Sequence, residues 1–533
     1  MPERKEDYME VKLLMKSARV AVIELSDGGI YETLEPYDIY VNGKKQLVAT
    51  TVITSIHDLK PETDVEIVVK NRAGEELSSI DFTTDREFVT LNVRDFGAAG
   101  DGQQDDTEYI QAAIMACPDE SRVLIPKGEY RIRSLFLKSR LRLELAEGAV
   151  LKADTERNHY PVFPAVIESY DETDEYILGT WEGNPLPMFA GIITGIDVDG
   201  VLLYGKGVID GCASKENWWQ NPKVMRTAFR PRLFFLSHSR NVTVQGLTFR
   251  NSPSWTIHPY FSNELAFYNL SVENPFDSPN TDGLDPESCK NVTIEGVRFS
   301  LGDDCIAVKS GKIYMGRKYK TPSENILIRQ CLMENGHGAV TIGSEMAGGV
   351  KDLKVEECIF RHTDRGLRIK TRRGRGKDAV LDDISFYRIR MDHVMTPFVV
   401  NAFYFCDPDG KTEYVQSRDV YPVDERTPIL RRFTFEDIEA HNCHVAAAWF
   451  DGLPEQKIEE INLRDITVDF AKDPRAGVPA MSSGVEPCVK KGIYARNVQH
   501  LVLKNVRIEG QEGEALTAEG VDELEDLSRP EEA

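Results

Sequence analysis

Three aspartates are the residues of this sequence best placed to do chemistry. Asp282 lies in Asn280-Thr281-Asp282-Gly283, and Asp303 and Asp304 lie in Gly302-Asp303-Asp304-Cys305. Asp282 and Asp303 are 21 residues apart, the length of one short coil in a solenoid of stacked strands. Stacked strands lie about 4.8 Å apart, so the three carboxyls can share one patch. Like charges that close cannot all ionise easily, and one of the three should keep its proton to higher pH. A carboxyl protonated near neutrality serves as general acid while an ionised neighbour serves as base, the division of labour that glycoside hydrolysis requires. Residue type alone is weak support, because an Asp-Asp pair at a turn is ordinarily just solvated.

Spacing adds to it. His337, in Gly336-His337-Gly338, follows Asp304 by 33 residues, and Lys370, in Arg368-Ile369-Lys370, follows His337 by another 33. A histidine stacked on an acidic patch can tune the pKa of the acid. Strand alternation puts Arg368 and Lys370 on one face. They belong to a basic island, residues 361–377, with six arginines and two lysines in a chain of net charge -23. A solvated loop that balances acids elsewhere is the bland account. A carboxylate-binding subsite is the sharper one, since the guanidinium fork matches a carboxylate.

The elements that must position these groups are strands. Asn241-Val242-Thr243-Val244-Gln245-Gly246 resembles Asn291-Val292-Thr293-Ile294-Glu295-Gly296, and looser copies begin at Asn325, Leu353, Ile461 and Leu501. Val292, Ile326 and Leu353 recur after 34 and 27 residues. Imperfect periods of that length, with alternation and no helical spacing, predict a parallel β-helix. Ahead of it, a strand, the Gly-rich turn after Asp95-Phe96-Gly97 and the helical spacing of Ile110-Gln111-Ala112-Ala113-Ile114 would cap the open end. The acids before that helix suit its N-terminus.

Residues 1–88 read as short strands of a β-sandwich. Leu59-Lys60-Pro61-Glu62-Thr63-Asp64-Val65 resembles the L-x-P-x-T-x-Y pattern of fibronectin type III domains, with Val65 where Tyr is usual. The segments 155–190 (Tyr160, Phe163, Tyr170, Tyr176, Trp181) and 214–232 (Trp218, Trp219) break the repeat and are expected to shape a cleft. The acidic tail 511–533 is expected to be disordered.

A net charge of -23 disfavours nucleic acid and anionic membrane surfaces as partners. Apolar runs are too short for a signal peptide or a membrane span. The nine cysteines form no metal or CxxC spacing and read as reduced thiols of a cytoplasmic protein.

The four motifs, in order and one coil apart, resemble those of glycoside hydrolase family 28, the polygalacturonase family of right-handed parallel β-helices. The resemblance covers residues of about 90–510, which sets the catalytic domain at 89–510. Asn251-Ser252-Pro253-Ser254-Trp255-Thr256-Ile257-His258-Pro259, Gly343-Ser344-Glu345-Met346-Ala347-Gly348-Gly349 and Thr371-Arg372-Arg373-Gly374-Arg375-Gly376 look most like the exo-acting branch, apart from Lys377 where that branch often has glycine. The resemblance implies an inverting hydrolase of oligogalacturonides without metal or cofactor. Asp303 is then the general acid, Asp282 and Asp304 jointly activate water, and His337 holds the acid's protonation. Arg368, Lys370, Asn280, His258, Arg373 and Arg375 bind the acidic sugar. Inversion sets an expected acid-to-base separation of roughly 6.5–9.5 Å. The alternatives are a hydrolase of rhamnogalacturonan fragments, a β-helix pectate lyase, and a non-catalytic carbohydrate-binding β-helix.

Overall fold

The computed structural model describes residues 9–168 and 175–528. Tyr170 and the last five residues of the acidic tail lie outside the described residues.

The N-terminal strands form two antiparallel sheets. Glu10–Lys16, Ala21–Ser26 and Ile53–Ile56 make one; Lys44–Thr51, Glu32–Val41, Asp64–Lys70 and Glu76–Thr83 make the other, in that order. Alternation does what it predicts: Tyr37, Ile39, Val65, Ile67 and Val69 point into a shared core. Val22, Val52 and Ile53 point the opposite way and are buried as well, because that face lies on the larger domain, where Tyr268 meets them. Polar contacts finish the joint. Glu24 accepts from Arg329 at 2.8 Å and 3.0 Å and from Gln330 at 3.1 Å. Ser55 accepts from Asn269 at 2.8 Å.

The larger domain is a right-handed parallel β-helix. Its inward positions stack in register: Val242, Leu265, Val292, Ile326, Leu353, Ile384, Phe433, Ile461 and Leu501 are successive partners. No single coil could bury these side chains; each is covered by its neighbours, and one core runs the length of the domain. Thr107–Ala116 is the capping helix, and it lays Ile110, Ala113 and Ile114 over the first coil. Asp106 does not cap that helix. Its carboxylate instead accepts from the backbone N–H groups of Ala99 (2.7 Å) and Gly100 (3.0 Å), fixing the Gly-rich turn.

One expectation needs correction. The tail was expected to be disordered from residue 511, but Leu516–Glu519 and Glu523–Leu527 add parallel strands to the last coil. Pairing with an existing strand edge satisfies their backbone, and acidic side chains at exposed positions do not oppose it. The interrupting segments do help to shape a cavity, with Glu182 and Lys223 in its lining, but not through their tryptophans. Trp218 and Trp219 are buried, with Trp218 against Tyr160 and Phe189, so they anchor the inserts.

Candidate active site

One face of the β-helix is built from Leu135–Phe136, Ile193–Ile196, Phe234–Ser237 and Ile257–Tyr260, then from a second run that starts at Ile306–Val308, Val340–Gly343 and Arg365–Lys370. Between the two runs the coil at residues 282–287 forms bridges in place of a full strand, Leu284 to Ile257 and Ile306, and Glu287 to Tyr260 and Lys309. Asp282 and Asp304 occupy equivalent positions on adjacent coils, because Gly283 N–H donates to the Asp304 carbonyl at 3.0 Å. His337 stacks below Asp303, its N–H donating to the Asp303 carbonyl at 3.0 Å.

The stacking brings the three carboxyls together, with oxygens of Asp282, Asp303 and Asp304 all within 4.8 Å of one another. These nearest-atom distances are shorter than the 6.5–9.5 Å expected for an acid and base that must admit a water, because Asp303 and Asp304 are consecutive residues and Asp282 lies one strand spacing away. The three differ in surroundings. Asp304 is fully buried and clamped, with Arg368 Nη1 at 2.9 Å from one oxygen and Lys370 Nζ at 2.7 Å from the other. Burial pushes its pKa up, but Lys370 and Arg368 outweigh burial and hold it far below the usual carboxylate range. Asp282 is the opposite case: burial and then the nearby Asp303 push it up to about 8, against the pull of Lys309. Asp282 was expected to be an ionised base; burial and Asp303 favour its protonated form, although Lys309 lies within ion-pair range. Lys309 Nζ is 3.7 Å from it but 3.1 Å from Glu345. Asp303 is the most open of the three, its side chain 20% exposed. Its Oδ1 accepts from the Asp304 N–H at 2.9 Å and lies 3.4 Å from His337 Nδ1. That contact raises the His337 pKa against the effect of burial.

A cavity of about 250 Å³ opens onto the cluster. Asp282, Asp303, His337, Arg368, Lys370 and Asn280 line it, as expected. Arg368 and Lys370 reach it with their charged ends already bonded to Asp304. Asn280 is held by Arg230 Nη2 at 2.7 Å.

Three expected binding residues do not reach the cavity. His258 is buried beneath it, its Nδ1 accepting from Arg232 at 3.2 Å and its Nε2 2.8 Å from Glu287. Burial and then Arg232 push its pKa far down, which keeps it neutral. Arg373 is fully buried, paired with Glu455 and donating to the carbonyls of Tyr414, Ser417 and Asp419. Arg375 is spent on Asp407. Within the basic island, Arg372, Arg373 and Arg375 thus pin the segment 405–420 that walls the cavity.

Sequence reasoning missed Lys309, Glu345, Glu182, Lys223, Tyr404 and Asp407, which also line it. Lys309 was findable: continuing the alternation of Ile306-Ala307-Val308 outward reaches it. By spacing alone the three carboxylates could hold a divalent cation. The donors argue otherwise, since both Asp304 oxygens already face cationic side chains.

Comparison with known proteins agrees with this geometry. The family model of glycosyl hydrolases family 28 matches residues 171–473, and that of rhamnogalacturonase A/epimerase, pectate lyase-like, matches residues 90–144. The chain is 30% identical to a Vitis vinifera protein described as a probable polygalacturonase, over 74% of this chain and 78% of that one. It is 25% identical to the exo-poly-alpha-D-galacturonosidase of Dickeya chrysanthemi, over 68% and 66%. Among solved structures, the exopolygalacturonase of Thermotoga maritima is 25% identical with a TM-score of 0.62, covering 80% of this chain and 94% of that one. The family 28 exopolygalacturonase of Yersinia enterocolitica is 20% identical with a TM-score of 0.68, covering 97% and 98%, a likeness of fold.

Proposed function

The chain belongs to glycosyl hydrolases family 28 and is a glycoside hydrolase acting on galacturonan; from that premise we propose that it is exo-acting and inverting, releasing galacturonic acid from the ends of oligogalacturonides. The observation that carries the proposal is the split protonation of the aspartate cluster inside a small cavity. Asp304 is held ionised by Arg368 and Lys370, while Asp282, pushed to about 8, keeps a proton within the same cluster.

Asp303, the open member, protonates the glycosidic oxygen as its bond to the anomeric carbon breaks. Asp282, which lines the cavity, passes its proton to Asp303 and takes one from the water whose oxygen attacks that carbon, while the clamped Asp304 keeps the fixed negative charge of the cluster. The cluster thus ends the turnover with the protons it began with, and His337 steadies the charge on Asp303 while that residue lacks its proton. Arg368 and Lys370 line the cavity, but their charged ends are committed to Asp304. Support for inversion comes from the same clamp. A carboxylate with both oxygens in charge-assisted bonds and no exposure is a poor covalent nucleophile, and a protonated Asp282 is no nucleophile at all.

Exo action is supported by size and walls. The cavity, about 250 Å³, is smaller than the 300–1,000 Å³ typical of small-molecule sites and suits a chain end rather than a chain passing through. The turn at Trp181–Asn184 closes over it, with the Gly183 carbonyl accepting from Lys312 N–H at 2.9 Å. Rhamnogalacturonan fragments are the second reading, favoured only by the match at 90–144, which lies in the end cap. For location we propose a reducing, cytoplasmic compartment, supported by nine free cysteines, most of them buried.

The deciding experiment is a time course of products from trigalacturonate and polygalacturonate, with anomeric configuration followed by NMR. Early release of one small sugar with inversion is the expected result. A spread of oligomers overturns exo action, retention overturns the mechanism, and unsaturated products overturn hydrolysis.

A further inference from the structure

Of the charged side chains that line the cavity, all but two are committed to partners. Asp282 and Glu345 face Lys309; Asp303 faces His337; Arg368 and Lys370 hold Asp304; Asp407 is shared by Lys312, Arg372 and Arg375. Glu182 and Lys223 have neither an ion pair nor a hydrogen bond through their charged ends among the described residues. Charges facing a cavity without partners are unspent binding energy.

Both come from the segments that interrupt the coil repeat. The one bearing Lys223 is anchored on both sides. Trp219 Nε1 donates to the Ser252 carbonyl at 3.0 Å, and Arg230 donates to the Pro253 and Pro279 carbonyls at 2.7 Å and 2.9 Å. Between these anchors Lys223 is exposed, so its ammonium is held over the cavity on a fixed base. The same inserts carry Arg157, Arg226, Arg230 and Arg232, none with a carboxylate partner among the described residues. The segment 214–232 holds five cations, Lys215, Lys223, Arg226, Arg230 and Arg232, against one acid, Glu216, whereas 155–190 is net acidic; the positive field at the cavity mouth thus comes from the segment that bears Lys223.

We propose that Lys223 is a specificity-determining residue that binds the carboxylate of the uronic acid seated at the closed side of the cavity, with Glu182 bonding the same sugar's hydroxyls. The reasoning is one of elimination by occupancy. A uronide carboxylate needs a cation, and Arg368, Lys370 and Lys309 already face protein carboxylates. Burial and then Glu345 raise the Glu182 pKa, which lets its carboxyl donate to a sugar as well as accept. This inference rests on the proposed galacturonide substrate and deepens it, by saying which side chain reads the acid group.

The test compares kcat/KM for trigalacturonate with that for its methyl ester, in the wild-type enzyme and in Lys223→Met and Lys223→Arg. The expected result is that the preference of the wild-type enzyme for the acid falls about tenfold or more in Lys223→Met, through KM with kcat nearly unchanged, and returns in Lys223→Arg. Direct binding of trigalacturonate to the inactive Asp303→Asn enzyme, with and without Lys223→Met, should weaken by the same factor. An unchanged acid-to-ester preference in an active Lys223→Met enzyme overturns the inference alone. A wild-type enzyme inactive on both substrates overturns the substrate assignment on which it rests.

Discussion

Asp282 and Asp304 are the same side chain one coil apart, and the protein holds them in opposite protonation states. A stability consequence follows for Asp282. Its carboxyl is raised from 3.8 to about 8 in the folded chain, so between those values the folded state keeps a proton that the unfolded state has released. Stability from this site is therefore greatest below about pH 4 and is lost as pH rises toward 8. Asp282→Asn removes the penalty while abolishing turnover. Thermal melts should show the variant above wild type at pH 8 by at least about 1 kcal/mol, with the gap closing toward pH 4; a pH-independent gap would count against the assignment. Asp303→Asn, by contrast, should leave the melting temperature nearly unchanged. It should lower kcat by on the order of 10²–10⁴-fold with substrate binding retained, as read by steady-state kinetics beside calorimetric binding. Much of this site was legible from spacing, because Asp282, Asp303, His337 and the Arg368/Lys370 pair follow one another at intervals of about one coil, one short and two long. What was not legible is who pairs with whom. That Arg373 ends on Glu455 and Lys309 on Glu345 depends on turns of irregular length, which no period encodes.

At the scale of elements, the repeat could be read because a parallel β-helix writes its core as recurring apolar positions. Val292, Ile326 and Leu353, which recur at unequal intervals, are direct ladder partners. The last coil escaped notice because its acids dominate the composition of 511–528, whereas strand pairing there depends on backbone edges. The turns matter as much as the strands. Gly302 precedes Asp303 where the carbonyl of Phe276 comes so close that an added Cβ would sit 1.7 Å from it. Gly302→Ala must move either that carbonyl or the aspartate. We expect a loss of about 1–3 kcal/mol from overpacking and a fall in kcat of on the order of 100-fold from misplacement. Full activity in a folded Gly302→Ala enzyme would show that Asp303 tolerates displacement.

At the scale of the whole molecule, product pattern should be a property of the walls and not of the aspartates. Replacing Trp181–Asn184 with a short Gly-Ser bridge removes the Gly183–Lys312 contact and opens the cavity. The expected outcome is a shift from one small product toward a spread of oligomers, read by chromatography, with cluster chemistry intact; an unchanged product pattern would place exo selection elsewhere. The sandwich has a different part to play. It touches the β-helix through Gln245, Asn269, Arg329, Gln330, Arg361 and Arg388, side chains drawn from consecutive coils. A stack in which each layer contacts only its neighbours can fray from either end without disturbing the middle. A lateral splint across several layers forbids that in the stretch it spans, and this is the stretch that holds Asp282, Asp303 and Asp304. Amide exchange should accordingly find residues of about 240–390 opening as one block and the terminal coil beyond residue 490 opening on its own. The domain farthest from the chemistry in sequence thus becomes the brace that makes the catalytic layers rise and fall together.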